Sequence, residues 1–554
     1  MSKLKFNLQG KEIKISAPAT PFEILEKSSG TKNNPGNPIM GAAYNNHMIS
    51  MHHPLKEDGK LDFIRYLDRY GKQFYSRGMS LILGLAVDRL FDKDSLQIGH
   101  SIEHGYYYQL KQESPVNRET LNNIDKEMHN IIDKNLPIKV VIVDHNKALE
   151  IFKKNNQLDK VKLLEYWERE EIELHQLDDY TDFAYFPAPA YTGELKNFEL
   201  RPYTPGFILR FPTEENPTEI PEAIDQPKLF QIYRETKDWA KILEVDNVGA
   251  LNEIIEKKNI SEFIKISEAL HEKKISQIAD EIHRRLENID LITIAGPTSS
   301  GKTTFSKRLM IQLRVNGIKP IRISTDDYFV ERDETPRDED GNYNFEALEA
   351  IDLELFNEHL ENLLHGETVQ IPSFSFETGS RKTTTTPLQL TGDQLIIIEG
   401  IHGLNPDLTP AIDRHRKYLI YVSALTQLVI DDHNRISTSD SRLIRRIVRD
   451  TMFRDIPPHT NIERWPSVRR GETEYIVPYQ ELADSMFNTS LLYELAAIKP
   501  YIKSALKQVP RDKVSFRTAN RIRRFIDLFR PIDTKEIPPT SILREFIGGS
   551  AFNY

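Results

Sequence analysis

Gly296-Pro297-Thr298-Ser299-Ser300-Gly301-Lys302-Thr303 lies between an apolar run, Leu291-Ile292-Thr293-Ile294-Ala295, and a helical pattern over residues 305–315. Strand, glycine loop, Lys-Thr and helix in that order predict a phosphate-binding loop. The backbone N–H groups of such a loop converge on an anion, and the helix that follows turns its positive end to the same place. ATP is expected on residues 296–304, ending at Thr304. Lys302 is placed to reach the outer phosphates, and the Thr303 hydroxyl to hold Mg²⁺.

Working outward, three more short apolar runs read as buried strands: Ile321-Arg322-Ile323-Ser324, Leu395-Ile396-Ile397-Ile398-Glu399 and Tyr418-Leu419-Ile420-Tyr421-Val422. Helical segments separate them. The alternation predicts an α/β domain with a parallel sheet covered on both faces. Ligands of such sheets bind at the carboxyl ends of the strands. One strand ends in Thr325-Asp326-Asp327-Tyr328, and Asp326 is placed to take a proton from an attacking hydroxyl. Another ends in Glu399-Gly400, where an acid orients Mg²⁺ directly or through water. Further on, Arg442, Arg446 and Arg449 recur on one helical face, with Arg454 beyond. Arginines closing over a transferring phosphoryl group offset its charge.

The chain has 554 residues, enough for two to four domains, and a net charge of −10. That balance gives no global pull toward nucleic acid. Arg201, Arg210 and Lys228 are scattered, so nucleic acid stays an open partner without a patch to support it. Cysteine is absent, which excludes disulfides and thiol catalysis. No apolar run approaches the ~20 residues of a membrane span. The start lacks a signal-peptide core. A cytoplasmic protein is expected.

Residues 1–65 read as a small β-rich module. Leu4 to Leu8 and Lys11 to Ile15 alternate about a turn at Gln9-Gly10, and Thr20-Pro21-Phe22-Glu23 starts a helix. Residues 29–38 form a loop, and strands are expected near 40–44 and 47–51. Helices are predicted over 74–90 and 118–135, a strand over 138–143, and a helix over 145–155. Residues 76–90, Ile98-Gly99, Gly105-Tyr106-Tyr107-Tyr108, Tyr180-Thr181-Asp182, and Gln231-Ile232-Tyr233 to Trp239 carry a resemblance. In that order, residues 1–240 resemble the N-terminal half of threonyl-tRNA synthetases, a TGS domain followed by the second additional domain. In that family the second domain edits mischarged tRNA with an HxxxH pair and a later Cys and His. The matching positions here are Ser76, Ser80, Ala184 and Ala188, so the resemblance implies the fold without the editing chemistry. A second HxxxH, His100 to His104, falls later and reads as two partly exposed histidines.

Residues 245–290 read as a helical connector with Ser261 as N-cap. Past 510, a basic helix (517–530) precedes Ile542, Leu543, Phe546 and Ile547, which predict a docked helix stopped by Gly548-Gly549.

A second resemblance covers residues 290–500. Its motifs are the loop at 296–303, Ser324 to Tyr328, Asn344-Phe345-Glu346, Val369-Gln370-Ile371-Pro372, Phe374-Ser375-Phe376, Ser380-Arg381-Lys382, Ile398-Glu399-Gly400 and Arg445 to Asp450. These are similar to the uridine kinase/phosphoribulokinase family of P-loop kinases. The resemblance implies Asp326 as base, Glu346 on ribose hydroxyls, and residues 374–382 in a hairpin that holds the nucleobase. It also implies Arg446 toward substrate and Arg449 and Arg454 in the lid. Tyr328, Phe374, Phe376 and Arg381 fall among the substrate-side residues. Three positions depart from uridine kinases. Gly379 stands where they carry a base-contacting His, Phe374 where they carry Tyr, and Ile456 where they carry Arg. A site without those donors loses selectivity for the base.

The expected architecture is multidomain α+β and α/β. A TGS-like domain (1–65) and a synthetase-like domain (66–240) lead to a connector (241–288), a P-loop kinase domain with a parallel sheet (289–510) and a tail (511–554). The expected activity is ATP- and Mg²⁺-dependent phosphorylation of a small hydroxyl acceptor, first among them a nucleoside such as uridine or cytidine. Lys302, Asp326, Arg449 and Arg454 would be catalytic. Two readings stay open beside it, an ATP-switched RNA-binding regulator and a residual editing hydrolase. So does assembly into a homo-oligomer.

Overall fold

The computed structural model describes residues 3–8, 11–28, 34, 36–91, 95–111, 114–339, 341–375, 378–392 and 394–553. The expected turn at Gln9-Gly10, part of the 29–38 loop and Phe376 lie outside them. Strands Lys3–Leu8 and Lys11–Ser16 pair antiparallel, and Gly59–Arg65 joins Lys3–Leu8 in parallel before Ile39–Tyr44 and His47–Ile49 complete a five-stranded sheet. Helix Pro21–Lys27 packs on it. Its start is a reciprocal cap: the Thr20 hydroxyl accepts from the Glu23 N–H at 3.2 Å and the Glu23 carboxylate from the Thr20 N–H at 2.8 Å.

Residues 71–242 follow as an α+β body. Helix Gly71–Leu90 is buried along most of its length against a four-stranded antiparallel sheet (Leu96–Ile102, Gly105–Leu110, Glu199–Tyr203, Gly206–Arg210) and a three-stranded one (Ile138–Asp144, Glu171–Leu177, Tyr180–Phe183). Of the HxxxH pair, His100 lies in strand Leu96–Ile102 and His104 in the turn after it, so the two are not on a helix. His100 is buried, not partly exposed; its Nε2 meets the Thr438 hydroxyl at 3.2 Å, and burial pushes its imidazole down to about 3. Among the described residues no group of three His, Cys, Asp or Glu is placed to hold a metal.

The connector is two helices, Val248–Glu256 and Ile260–Arg284. Ser261 is not the cap; it is the second residue of the helix, two past the N-cap Asn259, and its hydroxyl donates to Glu536 at 2.9 Å. The longer helix lays Phe263, Ile264, Ile275, Ile278 and Ile282 on the same apolar core as Phe305 and Leu309.

That core supports a five-stranded, wholly parallel sheet. Its spatial order is Lys319–Ser324, Gln394–Glu399, Leu291–Ala295, Lys417–Ser423 and Ser485–Asn488. Leu291–Ala295 is central and buried on both faces, as its mainly apolar run predicts, with Thr293 buried among its apolar neighbours. Register sets Ser324 and Ile294 beside Glu399, so the three chains leave the sheet edge together. The last strand is missed by the sequence reading because four residues, Ser-Met-Phe-Asn, give no alternation to detect. Helices Thr438–Phe453, Pro458–Tyr475, Glu494–Leu506 and Ser515–Ile526 close one side, and Arg544–Ile547 docks as a single turn stopped by Gly548 at φ +84°. Among the described residues no helix is long and apolar enough to cross a membrane.

The two halves of the chain interlock. A kinase-side hairpin, Val429–Asp431 and Asn434–Arg435, enters the α+β body. Lys160, fully buried, lies 3.7 Å from Asp159, 3.3 Å from Asp182 and 3.5 Å from Asp431. Arg77 bridges Asp182 and Asn434 at 2.9 Å each, and the Ile98 N–H donates to the Asp432 carbonyl at 2.7 Å.

Candidate active site

The loop after Ala295 owes its shape to its own residues and to side chains behind it. Gly296 admits no Cβ, which would fall 1.9 Å from the Val422 carbonyl oxygen, and Gly301 has φ +85°. Three successive loop carbonyls are bonded by side chains behind the loop. Arg442 Nε donates to Thr298 O at 3.0 Å, Arg445 Nη1 to Ser299 O at 3.4 Å, and the Thr489 hydroxyl to Ser300 O. Arg442 and Arg445 are both fully buried and held by Glu472 and Glu494 at 2.6 Å. The Ser300 N–H closes the loop on the Pro297 carbonyl at 3.1 Å, and helix Lys302–Val315 begins directly after it. The buried Ser299 and Ser300 hydroxyls have no hydrogen-bond partner among the described residues. Orphaned donors at a helix N-terminus suit an oxyanion.

Lys302 is drawn back onto the Pro297 carbonyl at 3.3 Å. Burial lowers its pKa against the opposing pull of Glu399, Asp326 and Glu346, so all three carboxylates face it. The Thr303 hydroxyl donates to Glu399 at 2.7 Å, and Arg322 pairs with the other Glu399 oxygen at 2.7 Å. A hydroxyl beside a carboxylate is the oxygen donor set a hard cation takes, with the rest of its shell from phosphate and water. Thr303 and Glu399 therefore fit Mg²⁺.

Asp326 projects into this cleft, open to water yet walled on most sides. Crowding by the walls, with Glu399 and Asp327, pushes its carboxyl up to about 6 against Lys302 and Arg454. Glu346, whose carboxyl burial also raises, reaches the Thr298 hydroxyl at 3.5 Å. Arg446 lies near Glu346, with Nε donating to Asn461 at 3.0 Å. Arg449 pairs with Asp450 at 2.9 Å, while Arg454 is exposed at the helix end and within the field of Asp326.

Two expected substrate-side residues face elsewhere. Tyr328 is fully buried, with its hydroxyl on His359 at 3.1 Å. Arg381 donates to Asp352 at 2.8 Å and to the Phe329 carbonyl at 3.2 Å, tying down the hairpin Phe374–Ser375 and Ser380–Arg381. Phe374 packs on Phe329 with ring centroids 5.6 Å apart. Gly379 has φ +72°, and an added Cβ would lie 2.3 Å from Arg332 Nε. An arginine from the neighbouring segment thus stands against the backbone where a residue-379 side chain would begin. Sequence reasoning missed Arg445, Thr489 and Arg332. Arg445 falls in a recognised motif, but nothing in one dimension shows that it faces the back of the loop.

Residues 291–491 match the model of the Phosphoribulokinase / Uridine kinase family. The N-terminal region is similar to threonine–tRNA ligases. One from Desulforamulus reducens is 32% identical over 178 residues, covering 32% of this chain and 28% of that protein. One from Thermotoga petrophila is 31% identical over 202 residues, covering 36% and 30%. The chain thus spans under a third of the length of these curated relatives. A solved structure described as a possible uridine kinase from Bacillus stearothermophilus is 20% identical, with a TM-score of 0.26, covering 38% of this chain and 97% of that one.

Proposed function

We propose that the chain is an ATP-dependent kinase that phosphorylates a hydroxyl of a small molecule, with the 5′-hydroxyl of a nucleoside as the leading acceptor. The observation that carries this reading is the meeting of Lys302, Asp326 and Glu399 at the carboxyl edge of one parallel sheet, beside a loop whose Thr298, Ser299 and Ser300 carbonyls are bonded at its back. An ATP switch needs the loop and Glu399; it has no use for a carboxylate at Asp326.

In the proposed reaction the loop N–H groups and Lys302 hold the nucleotide's phosphates. Asp326 takes the proton of the acceptor hydroxyl as its oxygen bonds to the γ-phosphorus and the bond to the β-phosphate oxygen breaks, releasing ADP. Lys302, Arg449 and Arg454 offset the charge that spreads over the phosphoryl oxygens. Mg²⁺ on Thr303 and Glu399 would neutralise part of the same charge. Glu346 and Arg446 fix the acceptor, and the Arg332–Gly379 contact shapes the end that receives its base or other distal group. The N-terminal body is proposed to brace this site. Ser76, Ser80, Ala184 and Ala188 supply no imidazole or thiolate, and the adjoining Arg77 and Asp182 are bound to Asn434 and His433 of the kinase hairpin.

The test is a screen of nucleosides and sugars for ATP-dependent phosphorylation, with Lys302→Ala as the blank. Product above that blank is expected with at least one nucleoside; turnover with none would favour the switch. With the acceptor in hand, kcat/KM should fall about tenfold per pH unit below about 6. The base works only ionised, and the Asp326 carboxyl sits at about 6 rather than at the ordinary ~4 of aspartate. A flat profile from pH 7 to 5 would remove Asp326 from the role.

A further inference from the structure

Lys302 feels a fourth carboxylate besides Glu399, Asp326 and Glu346, and it comes from the far end of the chain. Residues 541–549 cross the outside of the phosphate loop. Ser541, Ile542, Leu543, Phe546 and Ile547 are buried. Ile542 fills the space in front of Gly301, where an added Cβ would lie 2.7 Å from its Cγ2. The Phe546 ring lies 5.0 Å from the guanidinium carbon of Arg445, the arginine behind the loop. Between these apolar anchors Glu545 turns inward. Its Oε2 accepts from the Thr304 hydroxyl at 2.6 Å and from the Thr304 N–H at 3.4 Å.

Thr304 sits in the first turn of helix Lys302–Val315, whose N–H groups have no partner within the helix and whose dipole adds to their pull on an anion. A carboxylate is stabilised there for the same reason that a phosphate is. It carries the same sign as the phosphates and stands on a group they would use. Arg454, at the lid, lies in the field of Glu545 as well. The anchors on either side are buried and apolar, so the strap stays seated while one half-buried carboxylate can swing.

We propose that Glu545 is a built-in anionic competitor: the C-terminal strap holds its carboxylate on the first turn of the phosphate-loop helix, and a nucleotide's phosphates must displace it to bind. The inference rests on the nucleotide reading of the loop. It makes ATP affinity a property of the strap as well as of the loop.

The experiment titrates Mg-ATP and inorganic tripolyphosphate into the full chain, Glu545→Gln, Glu545→Asp and Lys302→Ala. Glutamine keeps the shape and the hydrogen bond to the Thr304 hydroxyl but not the charge. Glu545→Gln should bind both anions about 3- to 10-fold tighter, the size of a removed charge near a helix terminus. The gap should narrow as salt screens it. Glu545→Asp, which keeps the charge one methylene further back, should fall between. The unliganded thermal midpoint of Glu545→Gln should fall by no more than about 2–4 °C, the small loss expected when one such contact goes from a large chain. Equal or weaker ATP binding by both variants, with the parent still binding above the Lys302→Ala blank, would overturn the competitor and leave the kinase reading standing. No binding by parent or variants above that blank would overturn both.

Discussion

Replacing Asp326 by asparagine is expected to lower phosphoryl transfer about a thousandfold, within the ~10²–10⁴ that a positioned general base supplies. ATP binding should change by less than about threefold, since Asp326 acts on Lys302 through its field and is not one of the groups proposed to hold the phosphates. Asparagine has the shape of the carboxylate and still offers a hydrogen bond; what it lacks is the capacity to take a proton. Single-turnover transfer and a nucleotide titration on the same preparation separate the two effects. Asp327→Asn is the internal control. Asp327 is adjacent in sequence but lies in the field of Arg322 and Lys382 and near the Phe374 backbone, outside the ring of groups that face Lys302. It should keep most of the activity. If Asp326→Asn transfers within about tenfold of the parent, or if Asp327→Asn is the damaged variant, the base has been placed on the wrong carboxylate.

Lys160→Met is the second large expected effect, on stability. Burial favours the neutral amine, but Asp159, Asp431 and Asp182 outweigh it and raise the Lys160 pKa well above that of free lysine. Deleting this cation leaves Arg77 and His433 among three buried carboxylates. Removing one partner of a buried charge cluster costs about 3–5 kcal/mol, whereas exchanging the whole cluster for apolar groups can be neutral. The loss should appear as a lower denaturant midpoint. Amide exchange should rise together at Ile98 and across residues 429–435, because the Ile98 N–H is bonded to the Asp432 carbonyl. A midpoint shift worth under about 1 kcal/mol with unchanged exchange would mean that the halves hold together by apolar packing alone.

The cleft was legible in the sequence where chemistry is local. A glycine loop, an acid at the end of an apolar run and a Thr-Pro helix start each carry their signal within eight residues. The turn of the loop carbonyls was not, because Arg442, Arg445 and Thr489 lie 144, 146 and 189 residues from their acceptors. The arginine helix read as one phosphate-facing stripe; in three dimensions Arg442 and Arg445 point to the back of the loop and only Arg446, Arg449 and Arg454 face the cleft side. Helical spacing gives the faces but not what lies opposite each. The same holds for Tyr328 and Arg381, whose family positions suggested the acceptor and whose partners are His359 and Asp352. His100 looked exposed because its partner, Thr438, belongs to the other half of the chain.

The strap has a consequence in time. Glu545 meets Thr304 across 241 residues of chain. At a synthesis rate of about 5–20 residues per second, the ribosome takes roughly 10 to 50 s to make that stretch. For that interval Gly301 lacks Ile542, and Arg445, once made, waits about another hundred residues for Phe546. The nascent loop must therefore wait, incomplete, until almost the last residues described have left the exit tunnel. Chains that stop before Ser541 would carry every motif of the site and still lack its outer wall.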